Sequence, residues 1–310
     1  MLYSVVIPCY NEEPVLEETH KRLSSVMAGM DGDYELIYVN DGSRDRTAAI
    51  LRELYAADPA HVRVIMFARN RGHQTAVTAG LDYALGNAVV IIDADLQDPP
   101  EVIPQMAEKW KAGTKVVYGQ RKARDGETAF KKITASLYYK IVNGLTGGMI
   151  PKDTGDFRLI DRQVADAIRS MPEHDRFLRG MFAWIGFEQE PVLYDRDKRF
   201  AGETHYTLKK MIRLAADGIF GFTDKPLKLS LWIGVADLMI AVILALVLLI
   251  TGTAGLWWIA DLILAAAGSL HLCIGFAGEY IKRIYDEARQ RPLYIAAETL
   301  GCNRSGAAKL

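Results

Sequence analysis

AVVIIDADLQDPP, residues 88–100, decides how this chain folds. Ala88 to Ile92 are uninterrupted apolar residues, and the run stops at Asp93, Asp95, Gln97 and Asp98 before Pro99 and Pro100. A short, continuous β-rich run is what a strand needs when helices cover both of its faces. Acids at its end, then prolines suited to a first helical turn, make the segment strand, loop and helix. The same grammar repeats on either side. Strand-like runs at Tyr3–Ile7, Tyr34–Val39, Val62–Phe67, Ala88–Ile92 and Lys115–Tyr118 alternate with helical stretches at about 14–28, 45–57, 73–85 and 100–112. This alternation predicts a mainly parallel, Rossmann-like α/β sheet with helices on both faces. Ligands of such sheets bind beyond the carboxyl ends of the strands.

Three strand ends carry the polar residues. Pro8-Cys9-Tyr10-Asn11-Glu12-Glu13 follows the first strand, Asn40-Asp41-Gly42-Ser43 the second, and the acidic run from Asp93 the fourth. Neither GxGxxG nor GxxxxGK[ST] occurs, so a bound nucleotide needs another source of positive charge for its phosphates. Asp93 and Asp95, with Gln97, offer hard oxygen ligands suited to Mg²⁺ or Mn²⁺ shared with substrate phosphates. Asp98 has a different reading: with Pro99 at the first helical position and Glu101 two beyond, it fits the cap of the next helix. Arg71, His73 and Gln74 stand at a helix entry, where they either reach a ligand or remain solvated. Tyr138 and Tyr139 read as packing residues.

Composition narrows the function classes. The chain has 310 residues, 50% hydrophobic and 24% charged, with a formal net charge of −1. That balance excludes a disordered chain and argues against a nucleic-acid binder, which needs a basic excess. Cys9, Cys273 and Cys302 lie far apart, which excludes a disulfide scaffold or zinc ribbon and fits a reducing compartment. The hydrophobicity is uneven. Residues 229–250 and 256–278 are almost wholly apolar, each long enough to cross about 30 Å of hydrocarbon as a helix. Trp232, Trp257 and Trp258 near their ends favour a transmembrane hairpin over buried core helices. Lys209, Lys210, Arg213, Lys225 and Lys228 precede the first span, Lys282, Arg283, Arg289 and Arg291 follow the second, and the connector has no basic residue. Both flanks are therefore expected in the cytosol, and with the first strand starting at Ser4 no cleaved leader is expected. Asp237 and Asp261 lie within the spans and receive no catalytic role. Before the first span, Leu208, Met211, Ile212, Ala215, Ile219 and Phe222 oppose Lys209, Lys210, Arg213 and Asp217, the pattern of an amphipathic interfacial helix. The predicted organisation is a catalytic domain at 1–206, this juxtamembrane helix at 207–226, the hairpin at 227–281 and a cytosolic tail at 282–310. Gly268, Gly275 and Gly278 in the second span could support a homo-oligomer.

Taken together, VVIPCYNEE (5–13), NDGSRDRT (40–47), DADLQDPP (93–100) and TGDFRL (154–159) resemble the family 2 glycosyltransferases of the GT-A fold. The likeness is greatest to the bactoprenol (undecaprenyl-phosphate) glucosyltransferases and the dolichyl-phosphate mannose synthases. It continues through GETHY (202–206) and GEYIKRIYDEARQRPLYI (278–295). The resemblance implies that Pro8, Tyr10, Glu12 and Asp41 hold the donor nucleoside. It implies that Asp93, Asp95 and Gln97 hold Mg²⁺ or Mn²⁺ on the diphosphate, with Asp95 and Asp156 the catalytic acids. Arg121 and Lys132 are implied to meet the acceptor phosphate, and Arg199 the phosphates of the leaving group. One departure stands out: His205 replaces the lysine usual in the GETHY position, which puts that phosphate contact in doubt at neutral pH. The implied reaction is inverting, metal-dependent transfer of a hexose to a polyprenyl phosphate such as undecaprenyl phosphate at the inner membrane. UDP-glucose is the donor it points to first. GDP-mannose, UDP-GlcNAc and a UDP-aminoarabinose derivative stay open, as does a non-catalytic, membrane-tethered nucleotide-binding subunit. Two spans are too few for a processive synthase's channel, and a translocation component would leave the acid-lined domain unexplained.

Overall fold

Strand β1 (Leu2–Cys9) shows why the sheet is covered twice. Its Tyr3, Val5, Ile7 and Cys9 join one buried cluster, and Val6 joins another on the opposite face. The computed structural model describes residues 1–122, 154–195, 225–251 and 256–302. After β1 come α1 (Leu16–Ala28), β2 (Asp33–Asn40), α2 (Thr47–Ala57), β3 (Val62–Phe67), α3 (His73–Tyr83) and β4 (Ala88–Ile91). A 3-10 turn at Pro100–Val102 leads into α4 (Ile103–Lys111), followed by β5 (Val116–Arg121), β6 (Thr154–Asp161), α5 (Arg162–Ser170), α6 (Leu178–Trp184) and β7 (Gln189–Tyr194). Two long helices, α7 (Lys225–Thr251) and α8 (Leu256–Ala288), precede the last strand, β8 (Ala296–Leu300).

The first cluster takes Leu16, Leu23 and Met27 from α1, Ile50 and Leu51 from α2, and Ile103 and Met106 from α4. The second takes Ala76, Val77 and Leu81 from α3, Val164 and Ile168 from α5, and Met181 and Phe182 from α6. Among the described residues the sheet has the order β7-β5-β6-β4-β1-β2-β3-β8. The pairs β1–β2, β1–β4 and β2–β3 are parallel, as a mainly parallel sheet requires, and β5–β7 is parallel too. Strand β6 runs antiparallel between β4 and β5. That reversal matters for the site. Ile91 pairs with Arg158, so continuing the register by two residues sets Asp93 level with Asp156.

Strands β6, β7 and β8 are absent from the sequence reading, for physical reasons. Strand β6 buries Asp156 and Arg158 among its apolar residues, which hides its periodicity. Strand β7 carries Pro191, tolerated because β7 is an edge strand. Strand β8, AAETL, is short and gains its place by pairing antiparallel with β3. Within the segment expected as the C-terminal tail, 282–310, α8 continues through residue 288 and residues 296–300 add a strand to the sheet.

Helices α7 and α8 are candidate membrane spans. Their most apolar windows, Lys225–Val247 and Leu262–Ala288, have mean hydropathies of 2.4 and 1.6 with 0% of either buried inside the protein. They pack on each other, with the Cys273 thiol 3.3 Å from the Ser230 carbonyl, and leave Leu231, Leu238, Leu249 and Ile250 exposed. Neither helix contributes to the two buried clusters of the sheet domain. The expected amphipathic helix at 207–226 lies outside the described residues except for Lys225 and Pro226, which open α7.

Gly80 brings α3 against β1: a Cβ there would meet Val6 Cγ1 at 2.1 Å. Gly80→Ala is expected to destabilise the fold by about 1–3 kcal/mol. The check is the apparent Tm in detergent, which should fall by several degrees.

Candidate active site

The loops after β1 and β2 are laced into one surface. Asn11, at a φ of 56°, donates its amide N–H to Ser43 Oγ (2.9 Å), and its side-chain oxygen accepts from the Arg44 N–H (2.9 Å). The Glu12 N–H reaches Thr47 Oγ1 at 2.9 Å, and the Arg46 N–H reaches Glu13 Oε2 at 3.0 Å. This surface contains the predicted nucleoside residues: Pro8 is buried in β1, Tyr10 and Glu12 are half-buried on its loop, and Asp41 is buried at the end of β2.

Asp41 is itself a structural hub. Its carboxylate accepts from the Arg71 N–H (2.6 Å), the Gly72 N–H (2.8 Å) and Asn70 Nδ2 (2.9 Å). Burial raises its pKa, and the two backbone donors work against that rise. The result is that the β3–α3 loop is held against β2, so close that a Cβ on Gly42 would lie 2.6 Å from the Asn70 nitrogen. Of the three residues at the entry to α3, Arg71 gives its backbone N–H to Asp41, and Gln74 accepts from the Leu178 N–H at 2.9 Å. His73 goes to the acids.

The acidic centre forms where β4 ends beside the start of β6. Asp93 is half-buried there, and Leu96, at a φ of 57°, turns the chain so that the Gln97 N–H donates to Asp95 Oδ1 (3.1 Å). Asp156, only 8% exposed, accepts from Arg179 Nε at 2.7 Å and Nη2 at 3.2 Å, and lies 3.1 Å from His73 Nε2. Burial would raise the Asp156 pKa, but the Arg179 guanidinium and His73 hold it well below the usual carboxylate range. His73 also lies 3.7 Å from Asp93 Oδ1. Against burial, Asp93 and Asp156 carry the imidazole up to about 9. Asp93 is raised by burial to about 6; His73 opposes the rise, while Asp156, Asp98 and Asp95 add to it. Beneath them Arg158, buried, donates to the Gly155 carbonyl (3.0 Å) and to the Asp156 carbonyl (3.3 Å), with its guanidinium 4.3 Å above the Phe182 ring. Burial lowers its pKa to about 10.

Asp98 is not the helix cap read from the sequence. Pro99 takes the cap position with no side-chain hydrogen bond, and Asp98, 2% exposed, accepts from the Tyr194 hydroxyl. Arg121 Nη2 stands 4.0 Å from Asp98, while its Nε is buried without a hydrogen-bond partner. Lys132, Arg199 and His205 lie outside the described residues. The structure thus brings Asp93, Asp95, Gln97 and Asp156 to one edge, with Arg121 beside them and the residues expected to hold the nucleoside one and two strands over, after β1 and β2.

Among the described residues, no group of three or more His, Cys, Asp or Glu side chains could hold a metal alone. Two oxygen ligands suffice for an ion that keeps waters and bridges to a substrate diphosphate. The accumulated negative charge around Asp93 fits that use. Sequence reasoning missed Arg179 and left His73 undecided. The available signal for Arg179 was a cation inside the otherwise apolar helix LRGMFAW. Asp41→Asn is expected to turn an amide N–H₂ toward one of the backbone donors, at a cost of about 1–3 kcal/mol. Faster hydrogen exchange at the Arg71 and Gly72 amides is the check.

Comparison with known proteins places this geometry. The model for glycosyl transferase family 2 matches residues 4–169, from β1 into α5. The glycosyltransferase YkcC of Bacillus subtilis is 51% identical over 305 residues, covering 96% of this chain and 94% of that protein. The prophage bactoprenol glucosyl transferase homolog of Escherichia coli is 38% identical over 95% of this chain and 98% of its own length. The bactoprenol glucosyl transferase of Shigella phage SfV is 37% identical over 95% of this chain and 98% of its own. Glucosyl-3-phosphoglycerate synthase of Mycobacterium tuberculosis, crystallised with Mn²⁺, UDP and phosphoglyceric acid, shares the fold. Its TM-score is 0.52 at 19% identity, over 71% of this chain and 76% of that chain. With a matched domain spanning the acidic edge and relatives 38–51% identical over nearly the whole chain, the chain is a glycosyltransferase of family 2.

Proposed function

We propose that this enzyme moves a hexose from a nucleoside diphosphate, UDP-glucose first among the candidates, to a polyprenyl phosphate such as undecaprenyl phosphate. The observation that carries this reading is a buried Asp156 gripped by Arg179 and His73 beside Asp93, on a sheet joined to two long apolar helices. Relatives named for transfer to bactoprenol support the acceptor class. The Mn²⁺ and UDP in the crystallised structural neighbour are consistent with a divalent ion and a uridine donor.

The chemistry follows from proton affinities. The second pKa of a phosphate monoester is about 6, so the acceptor oxygen is already anionic at pH 7 and needs no strong base. Asp156 is unsuited to that role in any case, because its two cationic partners suppress its affinity for a proton. Its negative charge instead stabilises the positive charge developing at the sugar carbon. Asp93, Asp95 and Gln97 would hold Mg²⁺ or Mn²⁺, which when bound offsets charge on the departing diphosphate. Pro8, Tyr10, Glu12 and Asp41 form the nucleoside end. Arg121 and Lys132 are assigned the acceptor phosphate in this reading, and Arg199 the phosphates of the leaving group. In-line attack on an α-linked donor gives a β-linked lipid.

The proposed setting is the cytoplasmic membrane, with α7 and α8 spanning it and the sheet and both termini in the cytosol. A soluble nucleotide sugar and a lipid phosphate meet only at that surface. Basic residues flanking the spans also gain about 1 kcal/mol each near an anionic leaflet. Purified enzyme with UDP-glucose and undecaprenyl phosphate is expected to release UDP and form a β-glucosyl lipid, with all turnover lost in EDTA. Asp93→Ala and Asp95→Ala should each lower kcat at least about 100-fold. NMR of the product anomer and assay of UDP release are the measurements. A retained α-linkage would refute inversion, and full turnover in EDTA would refute the metal.

A further inference from the structure

The two partners of Asp156 come from different helices, and both helices are tied to the chain leaving α8. Arg179 is the second residue of α6, and the turn just before α6 is fastened to the charged end of α8. His174 gives its N–H to Glu287 Oε1 at 2.6 Å, its Nδ1 lies 2.9 Å from Glu287 Oε2, and its Nε2 lies 2.6 Å from the Arg291 carbonyl. Asp175 pairs with Arg283 at 3.1 Å. His73 opens α3, whose Asp82 accepts from the Tyr294 hydroxyl at 2.9 Å. Tyr294 also stacks on Phe67 with ring centroids 4.9 Å apart, and the Ile295 carbonyl accepts from the Ala68 N–H at 3.0 Å, just ahead of the loop that ends at His73.

Helix α8 is long enough for this work. Its 33 residues span about 50 Å at 1.5 Å per residue, against about 30 Å of hydrocarbon. The surplus is its charged end, Glu279 to Glu287, and that end makes the contacts. We propose that residues 283–295 act as a positioning device for the reaction: through His174 and Asp175 on one side and Asp82 on the other, they fix α6 and α3 so that Arg179 and His73 aim the Asp156 carboxylate. Glu287, Arg283 and Tyr294 are positioning residues in this account, since none of the contacts above reaches the acidic centre directly. The inference rests on the transfer reading for its kinetic test and on geometry alone for its structural one.

The structural path from Glu287 to Asp156 is short: two hydrogen bonds to His174, four residues to Leu178, whose N–H is held by Gln74 of α3, and then Arg179. Coupling along it is measurable with a double-mutant cycle. The full-length enzyme in detergent with UDP-glucose and undecaprenyl phosphate is compared as wild type, Glu287→Ala, Tyr294→Phe, Arg179→Lys and the Glu287→Ala/Arg179→Lys pair. Glu287→Ala is expected to lower kcat about tenfold while the KM for UDP-glucose stays within about twofold, and Tyr294→Phe to do the same more weakly. The pair should be no slower than about twice the loss of Arg179→Lys alone, because both changes release the same carboxylate. Amide exchange over residues 178–184 should quicken in Glu287→Ala. Losses that multiply in the pair, an unchanged kcat in Glu287→Ala, or unchanged exchange in α6 would overturn the proposal. Should the wild type transfer no sugar, the transfer reading fails, and the exchange experiment still decides the coupling.

Discussion

A carboxylate buried at the edge of a sheet is stable as an anion only if cations reach it, and Asp156 is met by two. Arg179 grips it through two nitrogens, and His73 closes the remaining side. Taking such charges out of water is expensive, and it is recovered only when geometry and further hydrogen bonds are good. The fold supplies both. Reversal of β6 sets Asp156 level with Asp93, Gly80 seats α3 on β1 so that His73 faces the acids, and Arg158 ties down the backbone of Gly155 and Asp156 from below. Remove the anion and its partners have no reason to converge.

Much of this architecture is legible in the sequence because one-period signals are strong where faces are uniformly apolar. The strands from β1 to β5, the helices between them and the two long apolar helices all obey that rule. Legibility ends where tertiary contacts overrule the local pattern. Strand β6 spends two of its positions on buried charges, and β8 is a strand only because β3 offers it an edge. Asp98 looks like a cap from its neighbours Pro99 and Pro100, yet it is drawn inward by Tyr194, a residue 96 positions away. Arg179 comes to Asp156 across 23 positions and between two elements, a meeting that no spacing rule encodes. The acids themselves were readable, since they stand at strand ends; their counter-charges were not.

The same division separates chemistry from support. Residues that would touch donor and metal cluster on loops at the carboxyl edge, where sequence motifs are local and recognisable. Those that fix the edge in place, such as Asp41 with its three donors or His174 with Glu287, are polar residues whose role appears only in three dimensions. Under the proposed function the sheet domain must hold a reacting centre at a fixed height over a membrane surface, and a long apolar helix whose charged end grips that domain through His174 and Asp175 is a stiff way to set that height.

The central claim is that Asp156 acts by fixed charge and position rather than by accepting a proton. Its most direct test is the pH dependence of kcat for Asp156→Asn between pH 6 and 9, set beside that of the wild type. The account predicts a residual rate at least about 100-fold lower that does not climb steeply toward high pH. A residual rate that climbs about tenfold per pH unit, with hydroxide standing in for a lost base, would contradict it.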